Sequence, residues 1–401
     1  MDNRYLILHK NIPVITVSLN HKYAIEKIEK IHNNERIPIG LEKQKLNIEN
    51  INDWFFSRAI PQKREGLSYI LNATDTKNNM ELLVKNLGLG LIDNYWIKKE
   101  NSNLKWEEVN FFDNNFSNEV NGIYLNRSDK INEEILDKIN PNNASSGMLP
   151  KGWICLQTDS SRTVSSRTEG SRKNKRFLIK GSELQNEQEP YNEEIISKWL
   201  DLLKVEHVEY EVKIIDKRPY SICELLLKEN EELIHAYHVA KIKPKDNKRS
   251  YFEHYIDCCK ELGLKDDIRT DLDNMILIDY MSANTDRHWN NFGIIRDSNS
   301  LKAKRLAPIY DNGASLFAKI PVFYIKEENI NLKCQSFNTR QSQNIKNVKN
   351  FDLLEKKEIY SILDIAEQVF KSNKHMEDKR IKEILIEIKQ RIITASKKRE
   401  V

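Results

Sequence analysis

The chain has 401 residues, longer than one ordinary domain, with 64 Lys and Arg against 60 Asp and Glu for a formal charge of +4. That length predicts two or three structural units with a sizeable core, and so small a charge excludes a protein built mainly to neutralise a nucleic-acid backbone; no direct nucleic-acid binding is expected. The five cysteines, Cys155, Cys223, Cys258, Cys259 and Cys334, show no Cys-x-x-Cys spacing and read as free thiols of a reducing compartment. The apolar run Tyr5–Leu8 is broken at once by His9 and Lys10, and nowhere do about 18 apolar residues follow one another. Neither a signal peptide nor a membrane contact is expected, and the expected location is the cytoplasm.

The first elements are two short apolar or β-branched runs, Tyr5–Leu8 and Ile12–Val17, which predict strands. Glu81–Leu87 has apolar residues at helical spacing, and Gly88-Leu-Gly-Leu91 supplies a turn after it. Residues 1–140 are therefore expected to form an α+β domain and a linker, without a catalytic signature. Asn140–Gly147 is rich in turn formers and marks a boundary. Residues 141–228 then read as a sheet with one helix: strands at Trp153–Leu156 and Arg176–Lys180 joined by a long polar loop, a helix started by Pro190, and strands at Val208–Ile215 and Tyr220–Leu227. In residues 229–401 helices are predicted at Tyr251–Leu262, Leu272–Ala283, Asp352–Phe370 and Lys379–Ala395.

The chemistry concentrates in Asn284-Thr-Asp-Arg-His-Trp-Asn-Asn-Phe-Gly293, followed twenty residues past Asn291 by Asp311 in Ile309-Tyr-Asp-Asn-Gly313. Phosphoryl transfer needs a carboxylate to accept the attacking hydroxyl's proton and oxygen ligands to fix magnesium against nucleotide phosphates. Asp286 fits the base; Asn291 and Asp311 fit the metal ligands. The Gly is expected to permit the tight backbone turn after the metal-binding Asp. Taken singly, Asp-Arg-His also fits a helix end with an ion pair, and Asp-Asn-Gly a type I′ turn. The order of both motifs after an apolar helix favours the phosphotransfer reading. His288 is expected to brace the loop in a supporting role rather than relay a proton.

Lys180 ends the strand Phe-Leu-Ile-Lys and is placed like a sheet lysine that pairs with nucleotide phosphates; it equally fits a solvated strand end. Glu193, in the first turn of the following helix, is the expected partner, with Glu187, Glu189 and Glu194 as substitutes. No Gly-x-Gly-x-x-Gly or Walker pattern occurs. Ser145-Ser-Gly-Met-Leu-Pro-Lys151 offers hydroxyls, backbone amides and a lysine that suit phosphate oxygens, and it also fits a linker ending in a turn. From it Ser145, Ser146, Gly147 and Lys151 are expected to contact ATP. Glu224 and Leu225, at the end of the last predicted strand, are expected to meet adenine, although Glu224 also fits a strand-edge charge.

A small antiparallel sheet with one helix, followed by a mostly helical lobe, is the bilobal layout of protein kinases. The motifs resemble the HipA-like kinase family, whose catalytic loop reads Asp-x-His-x-x-Asn and whose metal-binding Asp follows in a Tyr/Phe-Asp segment: here Asp286, His288, Asn291 and Tyr310-Asp311. The resemblance spans roughly residues 141–395. It implies an α+β bilobal kinase fold, here with an N-terminal α+β extension, and ATP and Mg2+ as cofactors. It also implies transfer of the γ-phosphate to Ser or Thr of a protein substrate, autophosphorylation at Ser145 or Ser146, and an antitoxin or other regulatory partner. In place of the family's Gly-Ala-Gln-x-Lys loop this chain has Ser-Gly-Met-Leu-Pro-Lys151. Asp-Arg-His-x-x-Asn with a later Asp-x-Gly is also similar to phosphatidylinositol-type lipid kinases. A nucleotide-binding pseudokinase is the third reading, against which stands the complete set Asp286, Asn291 and Asp311.

Overall fold

A computed structural model describes residues 3–41, 46–64, 66–116, 140–144, 149–157, 174–265, 267–326 and 332–398. The backbone packs as two units: Met1–Lys180 with Leu227–Glu232 and Asp297–Leu301, and Gly181–Leu226 with Leu233–Arg296 and Lys302–Val401.

The first unit opens with strands β1 (Arg4–His9), β2 (Ile12–Leu19) and β3 (Ile25–Ile31), then helices α1 (Ile48–Phe56), α2 (Leu67–Ala73) and α3 (Asn79–Lys85), strand β4 (Tyr95–Lys99) and a turn of helix α4 (Trp106–Val109). The strands form an antiparallel sheet in the order β3-β2-β1-β4. Its apolar face, Ile7, Ile15 and Val17 among others, packs on Trp54 and Phe55 of α1 and Leu83 and Val84 of α3. Asparagines start both helices: Asn47 and Asn50 form a reciprocal capping box on α1, and Asn78 accepts from Met80 and Glu81 N–H on α3. The unit also takes in two short distant segments. Buried His9 lies 3.1 Å from Glu232 through Nε2, and Arg36 Nη1 donates to His9 Nδ1 at 2.7 Å and to the Ser298 carbonyl at 3.3 Å. Strands β5 (Lys151–Gln157) and β6 (Asn174–Lys180) close the unit as an antiparallel hairpin.

The second unit begins with helix α5 (Gln188–Leu202) and the antiparallel hairpin of β7 (Glu211–Ile215) and β8 (Arg218–Glu224). Strand β9 (Glu231–His235), the short helix α6 (Ala236–Val239), helices α7 (Tyr251–Glu261) and α8 (Ile268–Met281), and strands β10 (Gly293–Asp297) and β11 (Ala303–Leu306) follow. The last three helices are α9 (Gln341–Asn344), α10 (Ser361–Lys371) and α11 (Asp378–Lys398). Helix α8 is buried on nearly every side, as the run Met275–Met281 requires. Strands β11, β10 and β9 form a sheet in that order, so the helical lobe also carries three strands. No helix among the described residues is long and apolar enough to cross a membrane, and all five cysteines are free thiols.

Several predicted elements shift: the strand expected over Tyr220–Leu227 runs Arg218–Glu224, and the helix expected from Leu272 begins at Ile268. Helix α5 begins at Gln188, two residues before Pro190, because proline needs no N–H donor in a first turn. The strand expected from Val208 begins at Glu211. Asp352–Phe370 is not one helix but a 3-10 turn at Asp352–Glu355 followed by α10. Both Leu353 and Ile359 are buried, yet on one helix they would stand roughly 120° apart.

Candidate active site

The run from α8 to β10 is folded around buried polar groups. Asp279, in the last turns of α8, accepts Asn284 N–H at its carbonyl (2.9 Å) and Asn284 Nδ2 at Oδ1 (3.0 Å). Ala283 between them takes the left-handed backbone region at φ 55°, which ends the helix sharply. Asn284 Oδ1 then accepts the N–H of Asp286 at 3.0 Å. The Asp286 carbonyl accepts from His288 N–H at 2.7 Å and from Asn291 Nδ2 at 2.9 Å. That bond holds the Asn291 side chain against the loop backbone.

Arg287, 1 % exposed, fastens three segments. Its Nε and Nη2 reach Asp279 at 3.0 Å, Nη1 donates to the Asn291 carbonyl at 2.9 Å and to the Tyr310 carbonyl, and Nη2 donates to Asn312 Oδ1 at 2.6 Å. Burial pushes the Asp279 carboxyl up while Arg287 pulls it back, and the carboxylate in turn holds the guanidinium protonated. Beneath this loop Trp289, Phe292, Tyr255 and Phe337 pack edge to face. Gly293 is required by a close approach: a Cβ there would stand 2.2 Å from the Ile234 carbonyl oxygen of β9.

Asp311 lies on a segment held at Val208 N–H to Ile309 carbonyl, 2.9 Å. Asp311 itself adopts φ 59°, and neither Asn312 nor Gly313 is left-handed, so Asp-Asn-Gly is not the type I′ turn it also resembles. The tight turn falls on the aspartate, a residue that tolerates this region through its short polar side chain. The next N–H, of Asn312, donates to Glu193 Oε2 on α5 at 2.7 Å. Asn192 Nδ2 holds the Gly313 and Ser315 carbonyls at 2.8 and 2.7 Å.

Burial pushes the Asp286 carboxyl above the usual range; His288 and Lys319 pull it down, Asp311 pushes it up, and Gln335 Nε2 donates to Oδ1 at 2.8 Å. Half-buried His288 accepts Asn290 N–H at Nδ1, 3.2 Å. Glu187 pairs with His375, Glu189 accepts from Ser182 and from Glu183 N–H, and Glu194 accepts Val212 N–H and pairs with Lys198.

Lys151 and Lys180 are direct partners across the β5–β6 hairpin, so both side chains leave the same face of that sheet edge in the first unit. Lys180 is buried and Lys151 half-buried. Glu224 ends β8 exposed, with Leu225 half-buried after it. Ser145, Ser146 and Gly147 lie outside the described residues.

Asp279, Asn192 and Gln335 lie outside the sequence motifs, and Asn284 stands in one without an assigned role. A carboxylate inside the apolar run of α8 was the available signal, since a buried aspartate demands a partner.

No protein-family model matches the chain, and no curated protein matches it either. Among solved structures it is similar to a chain of the Shewanella oneidensis MR-1 toxin–antitoxin assembly of HipA, HipB and operator DNA. Identity is 11 % and the TM-score 0.52, with 99 % of each chain covered. The chain has a HipA-like kinase fold. That HipA likeness runs through the N-terminal unit too, beyond the 141–395 span of the motif resemblance. The Helicobacter pylori proinflammatory kinase CtkA is a further neighbour at 15 % identity and a TM-score of 0.42, covering 56 % of this chain and 90 % of its own.

Proposed function

We propose that this chain is an ATP- and Mg2+-dependent serine/threonine protein kinase of the HipA-like type. The observation that carries the reading is Arg287, which ties the loop bearing Asp286 and Asn291 to the segment bearing Asp311 through the Asn291 and Tyr310 carbonyls. A pseudokinase that only binds nucleotide has no use for a base held at so fixed a spacing from two oxygen ligands. The donor set fits the metal: Asn291 Oδ1 and the Asp311 carboxylate are hard oxygen ligands of the kind magnesium takes, the remaining positions belonging to phosphate and water. When bound, the ion neutralises charge on the phosphates.

In this reading Asp286 takes the acceptor hydroxyl's proton, Asn291 and Asp311 hold the ion, and Glu193 fixes the backbone just after Asp311. Lys180 and Lys151 neutralise phosphate oxygens, Glu224 and Leu225 lie by adenine, and His288 supports the loop. Ser145 and Ser146 stay the proposed autophosphorylation sites. A regulatory partner protein is proposed by analogy with the Shewanella assembly, which contains HipB. Arg287 underlies the similarity to lipid kinases, but it is buried and engaged with Asp279, so it offers nothing to a lipid headgroup.

The test is incubation with γ-labelled ATP and Mg2+, alone and with host lysate, followed by mass spectrometry. Label on serine or threonine of a protein is the expected result; label on lipid alone, or ATP binding without transfer, contradicts the proposal.

A further inference from the structure

The loop Leu332–Gln341 carries none of the residues singled out for catalysis, yet it is fastened to the catalytic loop at three points. Trp289 Nε1 donates to the Ser336 carbonyl at 2.9 Å, Gln341 Nε2 to the Asn284 carbonyl at 2.6 Å, and Gln335 Nε2 to Asp286 Oδ1 at 2.8 Å. The loop is also closed on itself. Lys333 and Arg340 form an antiparallel bridge, and Cys334 Sγ donates to the Asn338 carbonyl at 2.8 Å. Phe337 sits in the aromatic cluster, 5.4 Å from Trp289. A rigid support thus carries Gln335, whose own side chain is exposed.

An exposed glutamine loses rotamer freedom to hold one geometry and returns little stability for it. Here its amide is spent on one oxygen of the carboxylate read as the base, with a second contact to the Thr285 carbonyl at 3.4 Å. A carboxylate restrained at one oxygen cannot rotate freely, so the other oxygen has a fixed direction.

We propose that Gln335 is a positioning residue: its N–H fixes Asp286 Oδ1 so that Oδ2 is presented to the acceptor hydroxyl. The inference rests on the kinase reading of Asp286. In the step it serves, the acceptor oxygen bonds to the γ-phosphorus and its proton passes to Oδ2. The bond from phosphorus to the β–γ bridging oxygen breaks, its electron pair leaving on ADP.

The experiment measures transfer from γ-labelled MgATP to the protein itself and to water, on the full chain. The variants are Gln335→Ala, Gln335→Glu, Gln335→Lys, Asp286→Asn and the double variant Asp286→Asn/Gln335→Glu. Loss of orientation predicts a kcat about tenfold lower in Gln335→Ala, lower still in Gln335→Glu, where like charges face each other, and partly recovered in Gln335→Lys, which keeps a donor. KM for ATP and the melting temperature stay at parental values. Gln335→Glu adds nothing in the Asp286→Asn background, because the two act as one unit. Parental kcat in Gln335→Glu overturns the inference, as does a loss matched by a raised KM or a lowered melting temperature. If Asp286→Asn is inactive while Gln335→Glu keeps the parental kcat, only this inference falls. If Asp286→Asn transfers at the parental rate, or the parent transfers nothing, the kinase reading falls with it.

Discussion

Arg287 and Asp279 form a buried ion pair, Nη2 to Oδ1 at 3.0 Å, in which the carboxylate belongs to helix α8 and the guanidinium to the loop that carries Asp286 and Asn291. Removing one member leaves the other charge buried without its counterion, which costs about 3–5 kcal/mol. Asp279→Ala is therefore expected to lower the denaturant midpoint far more than Asp279→Asn, which keeps an acceptor for Arg287. Tryptophan fluorescence, with Trp289 in the adjoining cluster, follows the transition; equal midpoints in parent and Asp279→Ala contradict the role given to the pair.

Gly293→Ala meets backbone rather than a movable side chain, the Ile234 carbonyl. Strand β10 has to shift away from β9, and such overpacking costs about 1–3 kcal/mol. Asn291 lies two residues before the shift, so this variant is expected to lose Mg2+-supported activity as well as melting temperature. A variant that melts and turns over like the parent would show that the two strands separate easily.

Much of this layout was legible in the sequence, and the misses have definite causes. The β1, β2, β5 and β6 strands announce themselves by short apolar or β-branched runs. Strand β3, Ile-Glu-Lys-Ile-Glu-Lys-Ile31, does not: its apolar residues recur every third position, and the pairing with β2 is irregular at Thr16/Val17 and Ser18/Leu19, which breaks the alternation a strand usually shows. Strand β9 begins Glu-Glu and yet is largely buried, because Glu232 is held by His9 and Asn94, residues more than a hundred positions away. At the candidate site, spacing alone singles out Asp286, Asn291 and Asp311. The scaffold roles of Arg287 and Asn192 could not be read there, since their hydrogen bonds to the Asn291, Tyr310, Gly313 and Ser315 carbonyls exist only once the backbone is folded.

Asp311→Ala removes an oxygen proposed to hold the metal. Activity and MgATP affinity are expected to fall together, with the Mg2+ concentration for half-maximal activity raised by about tenfold or more and only partial recovery in excess Mg2+. An unchanged Mg2+ dependence would take Asp311 out of the metal site.

Lys180→Ala takes one of two facing positive charges from the end of the β5–β6 hairpin. Charge-assisted bonds to phosphate are among the stronger polar contacts, so KM for ATP is expected to rise by about tenfold or more while the fold persists. The lysine opposite makes Lys151→Ala a companion variant, expected to act in the same direction. Equal ATP affinity in Lys180→Ala and parent would place the phosphates elsewhere.

The most direct measurement of the central claim compares Asp286→Asn with the parent for two quantities: MgATP binding by calorimetry, and phosphate transfer from γ-labelled ATP. The base is proposed to touch the acceptor and not the nucleotide, and general-base catalysis is worth about 100-fold or more in rate. The account predicts ATP affinity within about threefold of the parent together with transfer reduced by that factor or abolished. Transfer at the parental rate in Asp286→Asn would contradict it.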